Sequence, residues 1–228
     1  MARELPIFPL PLVLFPGAPQ PLHIFEPRYR QLLADCLAAD RRFGVAYVAP
    51  PRAPDDDPAP RPGDLGCVAL IRSTQELPDG RSNVLTVGER RFVLIAWCAG
   101  DQPYRLGRVE EFDDEPSEPG EAEALAAGVR DDFSRLVGAL GVLTDREHQA
   151  IELPADPQEL SFQVSAALEL DAEAKRSLQA LRSTTARLRH LGGLLEPLAA
   201  DAERRATVRR RAKGNGRGGR HPTIEHTA

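Results

Sequence analysis

Residue types that could catalyse peptide hydrolysis are sparse in this sequence of 228 residues. A serine/lysine hydrolase needs a lysine of lowered pKa beside a serine in an apolar site. The two lysines of the chain are Lys175, which lies in a polar helical segment, and Lys213, which lies in a basic C-terminal stretch. Neither position suits that chemistry, so no catalytic residue is predicted and we expect a protein that is not an enzyme.

Phosphate and thiol chemistry also lack a local signature. An ATPase needs a glycine loop that ends in Lys and Ser or Thr, and the Gly-rich stretch at 214–219 has neither that ending nor a preceding strand. Cys36, Cys67 and Cys98 lie about thirty residues apart, a spacing that favours buried thiols over a disulfide framework or a zinc site. We therefore expect no metal and no cofactor, and an unrecognised hydrolase stays open as an alternative.

Two acidic runs could suggest chemistry, the first as a metal site and the second as a catalytic carboxylate cluster. Residues 55–57 are three consecutive aspartates inside a stretch, 50–62, that contains six prolines. They lack the alternate spacing and the glycine of a calcium loop. The second run lies at 113–123 and also contains prolines. Because charge runs of this kind are usually solvated, we predict a loop and an acidic linker rather than functional sites.

The most specific segment is Pro21–Leu33, with the sequence PLHIFEPRYRQLL. Pro27 suits the first position of a helix, because its ring presets the backbone there. Glu26 precedes it at the positive end of the helix dipole, and Arg28 and Arg30 lie in the first turn. We interpret these four residues as a structural strand-to-helix corner that contains a buried or half-buried Glu/Arg pair.

Short strands and one helix are predicted to position this corner. Apolar segments punctuated by proline, at 5–10, 12–15 and 22–25, indicate edge strands and turns. After Pro27, apolar residues recur at helical spacing and predict one buried helix face. Apolar runs between residues 66 and 111 are typical of a β region, so we expect about six to eight short strands before residue 112.

Beyond residue 124 the hydrophobic period changes from two to 3.6, which predicts a helical bundle. Leucines from 181 to 198 fit a heptad seam, but Gly192, Gly193 and Pro197 interrupt it, so a long coiled coil is not expected. From Arg204 the chain is basic and aperiodic, which indicates disorder. The predicted organisation is a β domain at 1–112, an acidic linker at 113–123, a helical bundle at 124–200 and a basic disordered tail at 201–228.

Net charge separates the body of the chain from its tail. The chain carries −5 overall, and residues 201–228 hold eight Arg or Lys against three Asp or Glu, which leaves −10 on residues 1–200. An acidic body opposes nucleic-acid binding, because phosphate contacts need positive charge on the folded surface. No apolar run approaches the roughly 20 residues that span a bilayer, and the N-terminus lacks the regions of a signal peptide. We therefore expect a cytoplasmic protein that contacts no membrane.

The segment Glu4–Leu33, ELPIFPLPLVLFPGAPQPLHIFEPRYRQLL, resembles the opening of the N-terminal substrate-recognition domain of Lon (La) ATP-dependent proteases. Further motifs follow in the same order, at 63–71 (GDLGCVALI), 76–94 (ELPDGRSNVLTVGERRFVL), 103–110 (PYRLGRVE) and 156–171 (DPQELSFQVSAALELD). The resemblance covers residues 3–198. It implies an α+β fold, in which a PUA-like β barrel is followed by an α-helical bundle.

The resemblance also implies a function. Lon proteases carry ATPase and serine/lysine protease domains, which these 228 residues do not match, so the chain looks like a stand-alone bacterial protein of this family. We expect a non-enzymatic module that binds unfolded or partly unfolded polypeptides, or one specific protein partner. The candidate contacts are Phe15, Leu22, His23 and Tyr29. The alternative is an RNA-binding PUA-like protein, and the basic tail could make weak, nonspecific nucleic-acid contacts.

Overall fold

The computed structural model describes residues 2–50, 53, 57–116, 120–144 and 152–215, which form a mixed β-sheet and five helices. The strands are β1 (Arg3–Leu10), β2 (Pro19–Ile24), β3 (Arg42–Tyr47), β4 (Leu65–Glu76), β5 (Ser82–Cys98) and β6 (Arg105–Glu111). The helices are α1 (Pro27–Ala38), α2 (Glu121–Thr144), α3 (Pro157–Ala167), α4 (Ala172–Ala180) and α5 (Thr184–Asn215). The predicted α+β class is therefore confirmed.

The sheet has the strand order β2-β5-β4-β3-β1-β6, and β5 pairs additionally with β6. The pairings thus close a cycle of five strands, with β2 outside it. Only the β1–β3 pair is parallel among the described pairings. β5 can take part twice because it is 17 residues long: its first part pairs with β2 and its last part with β6.

A small apolar cluster fills the space inside this cycle of strands. Its buried members are Leu5, Ile7, Ala46, Val68, Phe92, Leu94 and Val109. The Phe92 ring lies against Gly66 so closely that a β-carbon at Gly66 would overlap it. The close approach of strand and ring therefore requires glycine at this position.

The segment between β1 and β2 is held against β5 by a second glycine. Gly17 donates its backbone N–H to the carbonyl of Gly88 at 2.9 Å, and Gly88 donates to the carbonyl of Ala18 at 3.0 Å. A β-carbon on Gly88 would collide with the carbonyl oxygen of Phe15. The FPG turn and the TVGERRF motif, which lie far apart in the sequence, therefore meet in one contact.

The larger hydrophobic core is shared by the sheet and the helices. It runs from Phe8, Phe15 and Tyr29 in the N-terminal half to Leu160 and Leu188 in the C-terminal half. α1 begins at Pro27, as predicted, and turns its apolar face into this core. The division into a β domain at 1–112 and a helical bundle at 124–200 stays a prediction. The strands and the helices share one continuous hydrophobic cluster, so the core does not mark a boundary between them.

α5 corrects two expectations about the C-terminal region. It runs as one 32-residue helix through Gly192, Gly193 and Pro197 and continues to Asn215, so the predicted disorder is wrong for residues 201–215. Its buried stripe consists of Leu188, Leu191, Leu195, Ala199, Ala202 and Ala206. Packing along this stripe outweighs the local breakers, although Pro197 removes one helical hydrogen bond. Residues 216–228 of the predicted tail lie outside the described residues.

α2 and α5 lie side by side and run parallel. Arg189 pairs with Glu121 near the start of both helices, and Arg135 pairs with Glu203 14 residues further along each helix. Both ion pairs join residues that are 68 positions apart, so the two helices keep one register. The second pair is bidentate, with Arg135 Nε and Nη2 at 3.1 and 2.9 Å from the two carboxylate oxygens.

A buried ionic cluster joins the sheet to the helices. Asp114 Oδ1 accepts a hydrogen bond from Arg91 on β5, and Asp114 Oδ2 accepts one from Arg187 on α5. All three side chains are 4% exposed or less. The interpretation of 113–123 as a solvated linker is therefore wrong at Asp114. Asp114 is buried by tertiary contacts, because two arginines distant in sequence, Arg91 and Arg187, both pair with its carboxylate.

Backbone and aromatic groups complete the cluster. Arg91 Nη1 and Arg187 Nη1 donate to the carbonyl of Leu181 at 2.7 and 2.8 Å, and Arg187 Nε donates to Ser161 Oγ at 2.8 Å. Both guanidinium groups also lie over the Phe162 ring, with Cζ at 5.0 Å for Arg91 and 3.9 Å for Arg187. The donors are thus satisfied although they are buried.

The charges in the cluster are unequal, since two guanidinium groups share one carboxylate. The pKa of Arg91 is lowered to about 10, chiefly by burial; the charge of Arg187 also lowers it, while Asp114 acts in the opposite direction. Asp114 therefore supports the protonated state of a cation that burial disfavours. Removing this negative charge would leave two buried cations with no counter-charge in the cluster.

We expect Asp114→Asn to lower the free energy of unfolding by about 3–5 kcal/mol, because breaking a buried ion pair leaves uncompensated charge. Asp113→Asn is the matched control: the Asp113 residue is exposed, and a surface substitution should change stability by about 0.5 kcal/mol or less. Urea unfolding of both variants measures the difference. A loss below about 1 kcal/mol for Asp114→Asn would contradict the role given to this cluster.

Candidate functional site

Two of the four predicted contact residues belong to the core. Phe15 is fully buried, and its ring centroid lies 6.4 Å from that of Phe162. Tyr29 is buried as well, with its ring 4.1 Å from that of Phe8. Phe15 offers no surface to a partner, and Tyr29 exposes only a small part of its side chain, at the pocket beside Arg28 and Arg105. Both therefore serve mainly the packing of the fold.

The other two predicted contacts lie on β2. Leu22 is partly buried and packs against the main core. His23 is exposed and lies opposite Asn83 of β5, with His23 Nδ1 2.8 Å from Asn83 Oδ1. The ring of Phe25 stacks beside His23 at a centroid distance of 6.2 Å. His23 is thus held by a side-chain amide and an aromatic ring.

An exposed face forms around His23 at the end of the sheet where β2, β5 and β4 are paired. We name it the distal sheet face, and it consists of Pro21, His23, Phe25, Asn83 and Leu85. Pro21 pairs with Leu85 across the strands, and His23 pairs with Asn83. A groove of about 410 Å³ runs along it and reaches the polar residues of β4 at 73–75.

The distal sheet face exposes large apolar side chains. Phe25 is 58% exposed and Leu85 is 41% exposed. Neither residue was predicted as a contact from the sequence, and the burial pattern of β2 shows why they share a face. Ile24 is buried and its neighbour His23 is exposed, so the alternation of a strand places positions 21, 23 and 25 on the solvent side. An aromatic residue at an exposed position of this alternation indicates a surface with a use beyond packing.

Prolines limit how a partner could pair with the edge of β2. β2 stands at one end of the strand order, and its paired neighbour is β5. Pro19 and Pro21 have no backbone N–H, and residues 19, 21 and 23 direct their backbone groups to the same side of an antiparallel strand. Because the prolines cannot donate to β5, residues 19, 21 and 23 fit the side of β2 that faces away from β5. Of these three residues, only His23 has a backbone N–H on that open side. Side chains, rather than strand addition, therefore suit recognition at this face.

The predicted structural corner forms through its backbone. The carbonyl of Glu26 accepts hydrogen bonds from the N–H groups of Tyr29 and Arg30 at 3.0 Å each, while its side chain caps no backbone group. Glu26 Oε2 lies 3.0 Å from Arg28 Nε, and these two side chains are 40% and 34% exposed. Arg30 lies instead beside Gly80 of the β4–β5 turn. Solvent therefore screens the Glu/Arg pair of the corner.

Lys175 is the lysine whose surroundings could suggest catalysis. Burial lowers its pKa, and its Nζ donates to the carbonyl oxygen of Ala166 at 3.0 Å. The groove beside it is lined by described residues that include Leu12, Leu14 and Leu170 and no serine or threonine. A lysine of lowered pKa is present, but the described lining lacks the hydroxyl nucleophile that a serine/lysine site requires.

The thiols and acidic groups do not assemble into a site within the described chain. Burial raises the pKa of Cys36 to about 12 and also raises the pKa of Cys67. Among the described residues, no group of three or more His, Cys, Asp or Glu could hold a metal ion. Asp55 and Asp56 lie outside the described residues, and Asp57 pairs with Arg28 and Arg105. A search of the described helices found none with the length and apolar character to cross a membrane.

Comparison with known families and proteins supports one family. Residues 4–196 match the model of the ATP-dependent protease La (LON) substrate-binding domain. Lon protease 2 of Herpetosiphon aurantiacus is 26% identical over 193 residues, which is 84% of this chain and 23% of that protein. Lon protease of Parabacteroides distasonis is 32% identical over 142 residues, which is 60% of this chain and 17% of that protein. The chain thus spans less than a quarter of the length of these relatives.

Two solved structures share the fold. The crystal structure of a Lon N-terminal domain protein from Xanthomonas campestris is 26% identical, with a TM-score of 0.58, and the match covers 83% of this chain and 96% of that one. The N-terminal domain of Mycobacterium avium complex Lon protease is 20% identical, with a TM-score of 0.63, covering 87% and 99%. The second similarity extends to the fold alone.

The geometry of the corner predicts that Glu26 contributes little to stability. Because solvent screens the Glu26–Arg28 pair, Glu26→Ala should lower the free energy of unfolding by about 1 kcal/mol or less. Tyr29→Ala in the same turn should lower it by about 3–5 kcal/mol, since it empties a buried aromatic site. Thermal and urea unfolding of both variants give these values. A loss above about 2 kcal/mol for Glu26→Ala would show that the pair is not screened.

Proposed function

Since this chain belongs to the ATP-dependent protease La (LON) substrate-binding domain family, we propose that it is a non-enzymatic module that recognises polypeptides through the distal sheet face. Its partner is an unfolded or partly unfolded polypeptide, or one specific protein that exposes an apolar segment. The observation that carries the proposal is the exposure of Leu85, which lines one groove on the sheet, and of Phe25, whose ring stacks beside His23 of the same groove.

The chemistry of the distal sheet face favours an apolar segment with a polar border. Phe25 and Leu85 expose apolar surface to water. A partner side chain that covers this surface removes it from water, which favours binding. His23 and Asn83 offer hydrogen-bonding atoms beside that area. Aromatic residues enclosed by a polar rim are the usual arrangement of the energetically important part of an interface.

The strand pairing supports a more specific description of the fold. We include in the proposal that the closed cycle β5-β4-β3-β1-β6 is a PUA-like barrel that carries β2 as an added outer strand. The division into a β unit, an acidic linker and a helical unit is part of the same proposal. So is the cytoplasmic location of the chain.

The RNA-binding alternative has weaker support. Of the eight basic residues that give residues 201–228 their positive charge, six lie on α5, five of them between Arg204 and Arg211. Arg204 and Arg205 pair there with Asp201 of the same helix. The family match is to a substrate-binding domain of a protease. Sequence-independent contact with phosphate through this helix is therefore not part of the proposed function.

Variants of one strand test the proposed face. Leu85 and Ile95 both lie on β5 and are both 41% exposed, but only Leu85 belongs to the distal sheet face. We expect Leu85→Ser and Phe25→Ser each to raise the Kd for fluorescein-labelled casein about five- to tenfold, which corresponds to about 1–1.4 kcal/mol. Ile95→Ser should change the Kd less than about twofold.

Fluorescence anisotropy measures the Kd, and thermal melts establish that all three variants fold. The three melting temperatures should agree with that of the unaltered protein within about 4 °C, since these are surface changes. Equal losses for Leu85→Ser and Ile95→Ser would show that apolar surface in general binds casein. Unchanged binding in both Leu85→Ser and Phe25→Ser would exclude the distal sheet face.

A further inference from the structure

Two arginines from different elements, Arg28 and Arg105, pair with the same carboxylate, that of Asp57. Arg28 Nη1, in the first turn of α1, lies 2.7 Å from Asp57 Oδ1. Arg105 Nη2, at the start of β6, lies 2.8 Å from Asp57 Oδ2. Each carboxylate oxygen thus has its own guanidinium group, and because the three side chains are 34–45% exposed, solvent screens these pairs and Asp57 can be displaced.

Each arginine of this pair is also held by groups other than Asp57. The Arg28 guanidinium lies over the Tyr29 ring at 4.6 Å and bonds to Glu26. The Arg105 guanidinium lies over the Trp97 ring at 5.6 Å. Since stacking on an aromatic ring fixes the plane of a guanidinium, the two groups would keep their positions if Asp57 left.

A pocket of about 230 Å³ opens beside the two arginines. Its walls include Ile7, Pro9, Pro103 and Tyr104. Tyr104 is fixed because its hydroxyl donates to Asp35 at 2.7 Å. The lining combines apolar residues with polar ones such as Gln102, and the cationic mouth formed by Arg28 and Arg105 can receive a carboxylate together with one attached side chain.

We propose that Arg28 and Arg105 form a carboxylate clamp that binds the C-terminal residue of a polypeptide, and that Asp57 occupies the clamp as an internal competitor. The terminal carboxylate replaces that of Asp57, and the last side chain enters the adjoining pocket. The exchange conserves charge, since one carboxylate leaves as another arrives. Capture of a chain terminus by fixed donors is a known mode of peptide recognition.

The clamp is a second site, separate from the distal sheet face. The pocket beside the arginines and the groove at β2 share no lining residue among those described. Both arginines lower the pKa of Asp57, so Asp57 is ionised at neutral pH and competes with an incoming carboxylate there. Weak binding in the unaltered protein and stronger binding without the Asp57 charge follow from this competition.

The test uses the Asp57→Asn variant of the full chain and three short probes that are titrated by NMR. The probes are acetyl-Gly-Gly-Leu with a free carboxylate, the same peptide as an amide, and acetyl-aspartate amide. We expect Asp57→Asn to bind the free acid at least about tenfold more tightly than the unaltered protein does. The amide and the aspartate probe should bind at least about tenfold more weakly than the free acid.

Further variants separate this proposal from its rivals. Adding Arg105→Gln to Asp57→Asn should abolish the gain, while Leu85→Ser should leave binding of the acid unchanged. A thermal melt of each variant establishes that the fold is intact. Three results would overturn the proposal: no gain in Asp57→Asn, equal binding of acid and amide, or equal binding of the leucine acid and the aspartate probe. Competition by inorganic phosphate as strong as that by the acid would also overturn it, because the site would then be one for any anion.

Discussion

The buried carboxylate of Asp114 is the interaction on which the arrangement of this chain depends. It sits between Arg91 of the sheet and Arg187 of the last helix, and all three side chains are almost fully buried. Charges removed from water are costly unless they are paired and hydrogen-bonded. Sheet and helices must therefore meet in one relative position, because any shift between them would expose or unpair a buried cation.

The same cluster determines how the distal sheet face is held. Arg91 and Leu85 lie on the same strand, β5, about 20 Å apart at the usual rise of a strand. The strand is fixed by the ionic cluster near its middle and by pairing with β2 and β4 at the end that carries Leu85. The apolar groups of the face thus project from paired strands, and a partner need not order them on binding.

The sequence predicts elements well where neighbouring residues decide the structure. Pro27 and the apolar spacing after it give the start of α1 and its buried face. The same local reasoning fails where distant residues decide. Asp114 stands in a run of acids beside prolines, and nothing near it in sequence shows that two arginines will bury it. Pro197 is a breaker by local rules, yet the stripe of α5 against the core keeps the helix intact.

The candidate site was predicted in part. His23 was identified from the corner motif and lies on the distal sheet face, whereas Phe15 and Tyr29 were drawn into the core by packing that the sequence does not show. Phe25 and Leu85 became visible only once the register of β2 with β5 defined a common face. Which side of a strand meets solvent depends on its partner strands.

Hydrogen exchange with and without saturating unfolded casein would locate the bound polypeptide on the unaltered protein. We expect slower exchange in residues 19–25 and in the paired ends of β4 and β5, at 73–87. Residues around Asp114 should show no change, since they are already buried. Slower exchange along α3 or α5, with none at 19–25 and 73–87, would contradict the assignment of polypeptide binding to the distal sheet face.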